Sequence, residues 1–326
     1  MQQVDQRYFS WNYGLCAPAD RPVRVIGGSL HSGTAGVRRF LCSELLHNGW
    51  GEKGPVTLPA GNPAAMPDGL SMTWFSLAEN TFFSGTFPLP SERLRQLFAG
   101  GFHHPLSPER STWTTVLVGC APGGRLSVWL SGQGLTVEVA HFAAAETDLD
   151  WDIPPSRAEW ARTRLARTVG EREAQQLFTE GAGGERWDNY RRRFAWSALV
   201  LGMGTDATAT LVVRSFNGEA ELFEFRGGGG AATHAETVSP LAHGVPKSME
   251  LHFTCSAGVR RVAKVQCDEL ETFAAFAKLS ERTGASAGLS LHLDVTAAPA
   301  ELRLYLCDDL YSLELLSAKV RISRSS

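Results

Sequence analysis

The sequence predicts an α+β protein, mostly antiparallel β, in which two similar modules, each a β-sheet with one packed helix, are joined by a helical connector. Three observations predict it: a strand, turn, strand and helix block at Pro67 to Phe98, a capped helix after Pro154-Pro155, and the return of the first half's pattern in the second half. In the block, Leu70, Met72 and Trp74 alternate with polar residues, the period of a strand with one buried face. Ala78, Glu79 and Asn80 read as a turn, and Phe82, Phe83 and Phe87 as the returning strand. Beyond Pro88 and Pro90, Ser91 reads as the cap of a helix on which Leu94, Leu97 and Phe98 share one face.

Before this block come an aromatic cluster (Tyr8, Phe9, Trp11, Tyr13), a strand from Val23 to Leu30, and a polar, glycine-rich hairpin tip at Ser32-Gly33-Thr34-Ala35-Gly36. Leu45 to Asp68 is loop-like, punctuated by Gly49, Gly51, Gly54, Pro55, Pro59, Gly61, Pro63 and Pro67. After the block, Gly100 to Arg110 reads as a loop. Strands follow at Thr114 to Cys120, Arg125 to Leu130 and Leu135 to Phe142, the first two joined by the tight turn Ala121-Pro122-Gly123-Gly124. Ser156 and Glu159 form a capping box opening a helix over Arg157 to Val169, with Ala161, Leu165 and Val169 on one face. Gly170 breaks that helix, and Ala174, Leu177 and Phe178 mark a second helical piece.

The first half's pattern then returns. Phe9-Ser10-Trp11 is echoed by Phe194-Ala195-Trp196, an offset of 185 (194 − 9), and Val23 to Leu30 by Thr208 to Ser215. Leu70, Met72 and Trp74 are echoed by Met249, Leu251 and Phe253 at 179 (249 − 70), and Leu94 and Leu97 by Phe273 and Phe276 at the same offset. Val128 and Leu130 are echoed by Leu304 and Leu306 at 176 (304 − 128). Strand, helix and closing hairpin recur in order, the mark of a degenerate tandem repeat. The expected organisation is a module over 1–152, a connector over 153–184 and a second module over 185–326.

Composition narrows the function classes. At 326 residues the chain can bury a large core without staples. A formal net charge of −3 and a pI of about 6.3 give no broad cationic field, so neither nucleic acid nor an anionic membrane is an expected partner. Cys16, Cys42 and Cys120 have no counterparts among Cys255, Cys267 and Cys307, so the six read as reduced fillers. The N-terminus shows no basic segment followed by an apolar run, and no membrane span is evident. A cytoplasmic location is expected for the chain as written, a periplasmic one if a leader was removed.

No constellation of catalytic residues stands out. Gly27 to Gly33 contains Ser29 and His31 but lacks the spacing of a nucleophile elbow. His103-His104 has no further ligand at metal spacing, so neither metal nor cofactor is expected. Gly227-Gly228-Gly229-Gly230 is followed by no lysine and no helix pattern, and reads as a flexible hairpin loop. Glu79 with Asp68, and Asp148 with Asp150 and Asp152, lie in turns and read as solvated. Trp50, Trp74, Trp113, Trp129 and Trp151 read as core or module-joining residues, with the lining of a binding cleft as the alternative.

The segments RYFSWNYGLCAPADRPVRVIGG, LSMTWFSLAENTFFSGTFPLP, VGCAPGGRLSVWLSG and WDNYRRRFAWS together resemble an uncharacterised domain family of Gram-negative bacterial proteins, many of them lipoproteins. Genes of that family often stand beside type VI secretion phospholipase effectors. The resemblance implies an immunity or accessory protein, and with no catalytic constellation the expected function is a non-enzymatic immunity protein that binds and occludes a secreted toxin, most simply a lipase. A cytoplasmic adaptor loading an effector onto the secretion spike is the first alternative, and an enzyme with an unrecognised site the second. The expected partner is a protein, the cognate toxin. Its expected contacts are the exposed loops carrying Ser32, Gly33, Thr34 and Gly36, and Gly227, Gly228, Gly229 and Gly230.

Overall fold

A computed structural model describes residues 8–33, 36–41, 45–54, 56–104, 109–150, 156–180, 183–203, 207–226, 233–234, 242–254, 258–283, 288–296 and 301–324. The chain divides into two compact units, one of Met1–Gly101 with Thr112–Asn189, the other of Phe102–Ser111 with Tyr190–Ser326. Both are mostly antiparallel β with helices, as the sequence predicts.

The first unit opens with β1 (Tyr8–Cys16), β2 (Val23–His31), β3 (Val37–Arg39), β4 (Leu45–Leu46), β5 (Thr57–Ala65), β6 (Gly69–Ser76), β7 (Thr81–Pro88) and α1 (Ser91–Gly100). The chain then gives β8 (Phe102–His103) and β9 (Arg110–Ser111) to the second unit. It returns with β10 (Thr115–Cys120), β11 (Arg125–Gly132), β12 (Leu135–Ala143), β13 (Ala145–Thr147), α2 (Arg157–Val169), α3 (Glu171–Glu180) and α4 (Glu185–Tyr190).

One sheet runs β5-β1-β10-β11-β12, in which β1 and β10 are parallel and the other pairs antiparallel. The other runs β3-β2-β6-β7-β13, all antiparallel, with β4 beside β2. The alternation in β6 has its expected consequence: Leu70, Met72 and Trp74 are buried, while Ser71 and Thr73 face outward. Asn80, at φ +53°, closes the β6–β7 turn in the left-handed region that asparagine tolerates. In the next hairpin Gly123 and Gly124 both sit at φ +68°, and a Cβ on Gly124 would stand 2.4 Å from the Ala144 carbonyl. Only glycine fits there.

Two readings need correction. The stretch Leu45 to Asp68 is not all loop, because β5 occupies nine of its residues. That strand tolerates Pro59 and Pro63 by lying beside β1 at a sheet edge, where register shifts around Trp11 and Gly61 at φ +125° absorb the irregularity. Ser91 is not the cap of α1 but its first residue. Pro90 holds the cap position without a side-chain hydrogen bond. Ser156 caps α2 as read, its Oγ accepting from the Glu159 N–H at 3.4 Å, which is one of the two bonds of a capping box. α2 and α3 turn at Gly170, φ +94°, and bury Ala161, Leu165, Ala174 and Leu177 against Phe75, Leu77 and Phe82. Each fully buried leucine there contributes about 2 kcal/mol of hydrophobic transfer.

The second unit continues with β14 (Arg193–Phe194), β15 (Trp196–Leu201), β16 (Thr208–Ser215), β17 (Ala220–Arg226), β18 (Thr233–His234), β19 (His243–Gly244), β20 (Pro246–Thr254) and β21 (Arg260–Gln266). It ends with α5 (Glu269–Thr283), β22 (Leu289–Asp294), β23 (Arg303–Cys307), β24 (Ser312–Glu314) and β25 (Lys319–Arg324). One sheet runs β15-β22-β23-β24, with β15 and β22 parallel. The other runs β17-β16-β20-β21-β25, all antiparallel. Its core is aromatic: Phe273 meets Phe216 and Tyr190, and Phe276 meets Phe194 and Trp196.

Candidate functional site

The loops expected to touch a partner are placed in part. Ser32 leaves β2 but is 4% exposed, and its hydroxyl donates toward the Ala65 carbonyl at 3.4 Å. Gly33 and Gly36, at φ +46° and +114°, form the tip, closed by the Ser32 N–H on the Gly36 carbonyl. Thr34 and Gly227, Gly228, Gly229 and Gly230 lie outside the described residues. Ser32 therefore supports its hairpin from within and presents little to a partner.

The residues weighed for chemistry find structural partners. Ser29 Oγ lies 3.2 Å from His31 Nε2, which lies 3.0 Å from Ser71 Oγ, which in turn meets Thr86 Oγ1 at 3.0 Å. This is a hydroxyl ladder across the outer face of β2, β6 and β7. Glu79 accepts the Gly123 N–H on both carboxylate oxygens, at 2.9 and 3.1 Å, and so ties one hairpin turn to the next. Burial pushes its carboxyl above the usual range. His103 is exposed on β8. Among the described residues no group of three histidine, cysteine, aspartate or glutamate side chains is placed to hold a metal ion.

A polar cluster that sequence reading missed lies on β11, β12 and α4. Ser127 Oγ donates to Glu138 Oε1 at 2.8 Å and meets His141 Nδ1 at 2.9 Å. His141 Nε2 stands 3.6 Å from Asp188, whose carboxylate is gripped by Arg125, one contact at 2.9 Å. The Arg125 guanidinium holds the Asp188 carboxyl below its usual range. Serine, histidine and aspartate in a row suggest acyl-transfer chemistry. Yet Ser127 is 1% exposed, out of reach of any substrate, and its proton already belongs to Glu138. The cluster instead docks α4, together with Arg186 on Asp20 at 2.9 Å and Trp187 against Trp50.

The second unit buries its own polar group. Glu219, 4% exposed, accepts from Asn217 Nδ2 at 2.8 Å and pairs with Arg193 at 2.7 Å. His243 Nδ1 meets Glu221 at 2.9 Å, with Trp196 edge-on to the imidazole. Burial of this degree places the network inside the fold.

The outward-facing candidate is apolar. Among the described residues, the three most exposed large apolar side chains are Leu310 at 85%, Leu270 at 82% and Leu316 at 76%, all in the second unit. The backbones of Leu310 and Leu316 are pinned, and Leu270 stands in the first turn of α5. Asp308 Oδ1 accepts the N–H groups of Leu310 and Tyr311 at 2.8 and 2.6 Å. The two carboxylate oxygens of Glu271 accept those of Leu316 and Ser317, each at 2.9 Å. Arg282 covers the Tyr311 ring at 3.5 Å. A leucine held rigid in water has already lost part of the freedom that binding would cost it.

Fold and surface together define a two-unit, mostly antiparallel β protein with fixed leucines facing solvent. A family model described as a protein of unknown function, DUF2931, matches residues 1–181, more than half of the 326-residue chain, and the chain belongs to that family. No curated protein matches it, and no solved structure does. Among the described residues no helix is long and apolar enough to cross a membrane.

Proposed function

We propose that the protein is a non-enzymatic binding protein, an immunity protein that engages a toxin of type VI secretion and blocks it, the toxin being most simply a lipase. The observation that carries the binding reading is the set of leucines, Leu270, Leu310 and Leu316, each more than three quarters exposed, with the backbones of Leu310 and Leu316 held by carboxylates. Exposed apolar side chains on a rigid frame are characteristic of association surfaces. The resemblance to proteins encoded beside phospholipase effectors supplies the class of partner.

We read the two units as two copies of one module. In each, a strand early in the unit pairs in parallel with the unit's own first strand after the helix, β1 with β10 and β15 with β22. In each, the strand before the helix has on one side the strand from the preceding hairpin and on the other the unit's last strand: β6-β7-β13 and β20-β21-β25. A module of this kind offers a partner a surface held by its sheets, and inhibition follows from steric occlusion over an interface of roughly 1,600 Å².

The test is co-expression with the product of the adjacent gene, followed by assay of that product's lipase activity. A stoichiometric complex with activity abolished is the expected result. A complex with activity retained replaces immunity by an adaptor role, and the absence of any complex removes both.

A further inference from the structure

The second unit leaves a sheet edge open. β25 pairs with β21 along one side, from Arg261 opposite Arg324 to Gln266 opposite Lys319, and among the described residues no strand pairs with its other side. An open edge presents a row of backbone N–H and C=O groups ready to pair with another chain. Along β25 Lys319, Arg321, Ser323 and Arg324 are exposed, while Val320 and Ile322 are half-buried. Cross-strand neighbours share a face. Arg321 therefore stands beside Lys264, itself 67% exposed and in contact with Glu250 on the far side at 3.3 Å.

The start of this edge carries an apolar anchor. Leu316 lies three residues before β25, and its N–H is fixed to Glu271, the neighbour of Leu270 on α5. Leu316 thus links the start of the edge to the α5 residue beside Leu270.

We propose that β25 is an acceptor strand for an extended acidic segment of a partner protein. Carboxylates at alternate positions of that segment face Lys319 and Arg321, intervening apolar residues finish the burial of Val320 and Ile322, and a large apolar side chain rests on Leu270 and Leu316. The occupant follows from complementarity. A six-residue strand offers about 20 Å of ladder, which another backbone fills best. Cations on the outer face reject neutral or basic strands that would otherwise aggregate there, and admit an acidic one. This inference rests on the protein being a binding protein, and it names the surface and the chemistry of the partner.

The test uses fluorescence anisotropy with two labelled decapeptides, one alternating glutamate with valine and ending in leucine, the other with lysine in place of glutamate. The full chain is expected to bind the glutamate peptide at least tenfold more tightly than the lysine peptide. Lys319→Glu with Arg321→Glu is expected to reverse that preference at unchanged Tm, and Leu316→Ser to weaken the glutamate peptide about threefold. N-methylation of alternate backbone amides in the peptide is expected to abolish binding, which simple charge attraction would survive. Equal binding of the two peptides, or survival of binding after N-methylation, overturns the acceptor strand. The same charge-reversed chain is then mixed with the adjacent-gene product. Loss of a complex that the wild-type chain forms supports the edge as the docking site. Undiminished binding overturns the edge while leaving toxin binding intact. Peptide binding as expected, with no complex formed by the wild-type chain, retains the edge and removes the immunity reading.

Discussion

Each unit pairs an early strand in parallel with a later one, β1 with β10 and β15 with β22, yet the two differ in what they turn outward. In the first, α1 begins at Ser91 and the β11–β12 hairpin turns through Gly132, Gln133 and Gly134. In the second, the position 179 residues after Ser91 is Leu270 (270 − 91), and the β23–β24 hairpin turns through Asp308 to Tyr311, exposing Leu310. Polar groups differ in the opposite sense. The first unit's Arg125–Asp188 pair is partly exposed, whereas the second encloses Glu219. On the proposal that the units are two copies of one module, the differences lie in turns and rims, which contribute little to either core.

The largest effect that sharpens this comparison comes from the helices. Phe276 is fully buried, and Leu97, the residue the proposed repeat sets against it at offset 179 (276 − 97), is half-buried. Phe276→Ala is expected to cost about 3–5 kcal/mol in urea denaturation, and Leu97→Ala about 1–2 kcal/mol. Equal costs would break the comparison. Next come the ion pairs. Arg193→Ala leaves Glu219, whose side chain is 5% exposed, short of its cation and is expected to cost about 3 kcal/mol. Arg125→Ala releases an Asp188 side chain already 46% exposed and is expected to cost under about 1 kcal/mol.

Smaller still are two pH effects of opposite sign. Glu79 has a folded pKa raised by burial, so the folded state holds its proton more tightly than the unfolded chain. Its contribution is fully present below about 4.5 and declines as pH rises through the folded pKa. Asp188 is depressed by Arg125, so its contribution is present above about 3.8 and is lost as pH falls through the folded value. Measured against wild type from pH 3 to 7, the stability difference of Glu79→Gln and that of Asp188→Asn are expected to move in opposite directions. The last effect is Ser156→Ala, expected to lower stability by about 0.5 kcal/mol through loss of the α2 cap and read as a fall in Tm.

Much of the frame was legible because it is local. The β6 alternation, the Gly123-Gly124 turn and the α2 cap each lie within a few residues and need no partner strand to be read. The strand β5 was not, because its prolines and Gly61 carry loop chemistry and only the neighbouring β1 makes them a strand. The Ser127–His141 contact was hidden by one residue of register. From the turn, Ser131 pairs with Thr136 and Trp129 with Glu138, which would set Ser127 opposite Ala140. A bulge between Val128 and Trp129 brings His141 there instead. The surface leucines were illegible for a different reason: Leu270 stands three residues before Phe273 and reads as part of the buried stripe, although it is 82% exposed.

The most direct measurement is hydrogen exchange on the chain alone and bound to the adjacent-gene product. Slowed exchange at Leu310 to Arg324 and around Leu270, with little change in the first unit, is the result expected if the second unit presents the recognition surface. Protection confined to the first unit, with the amides of β25 exchanging as in the free chain, would contradict it.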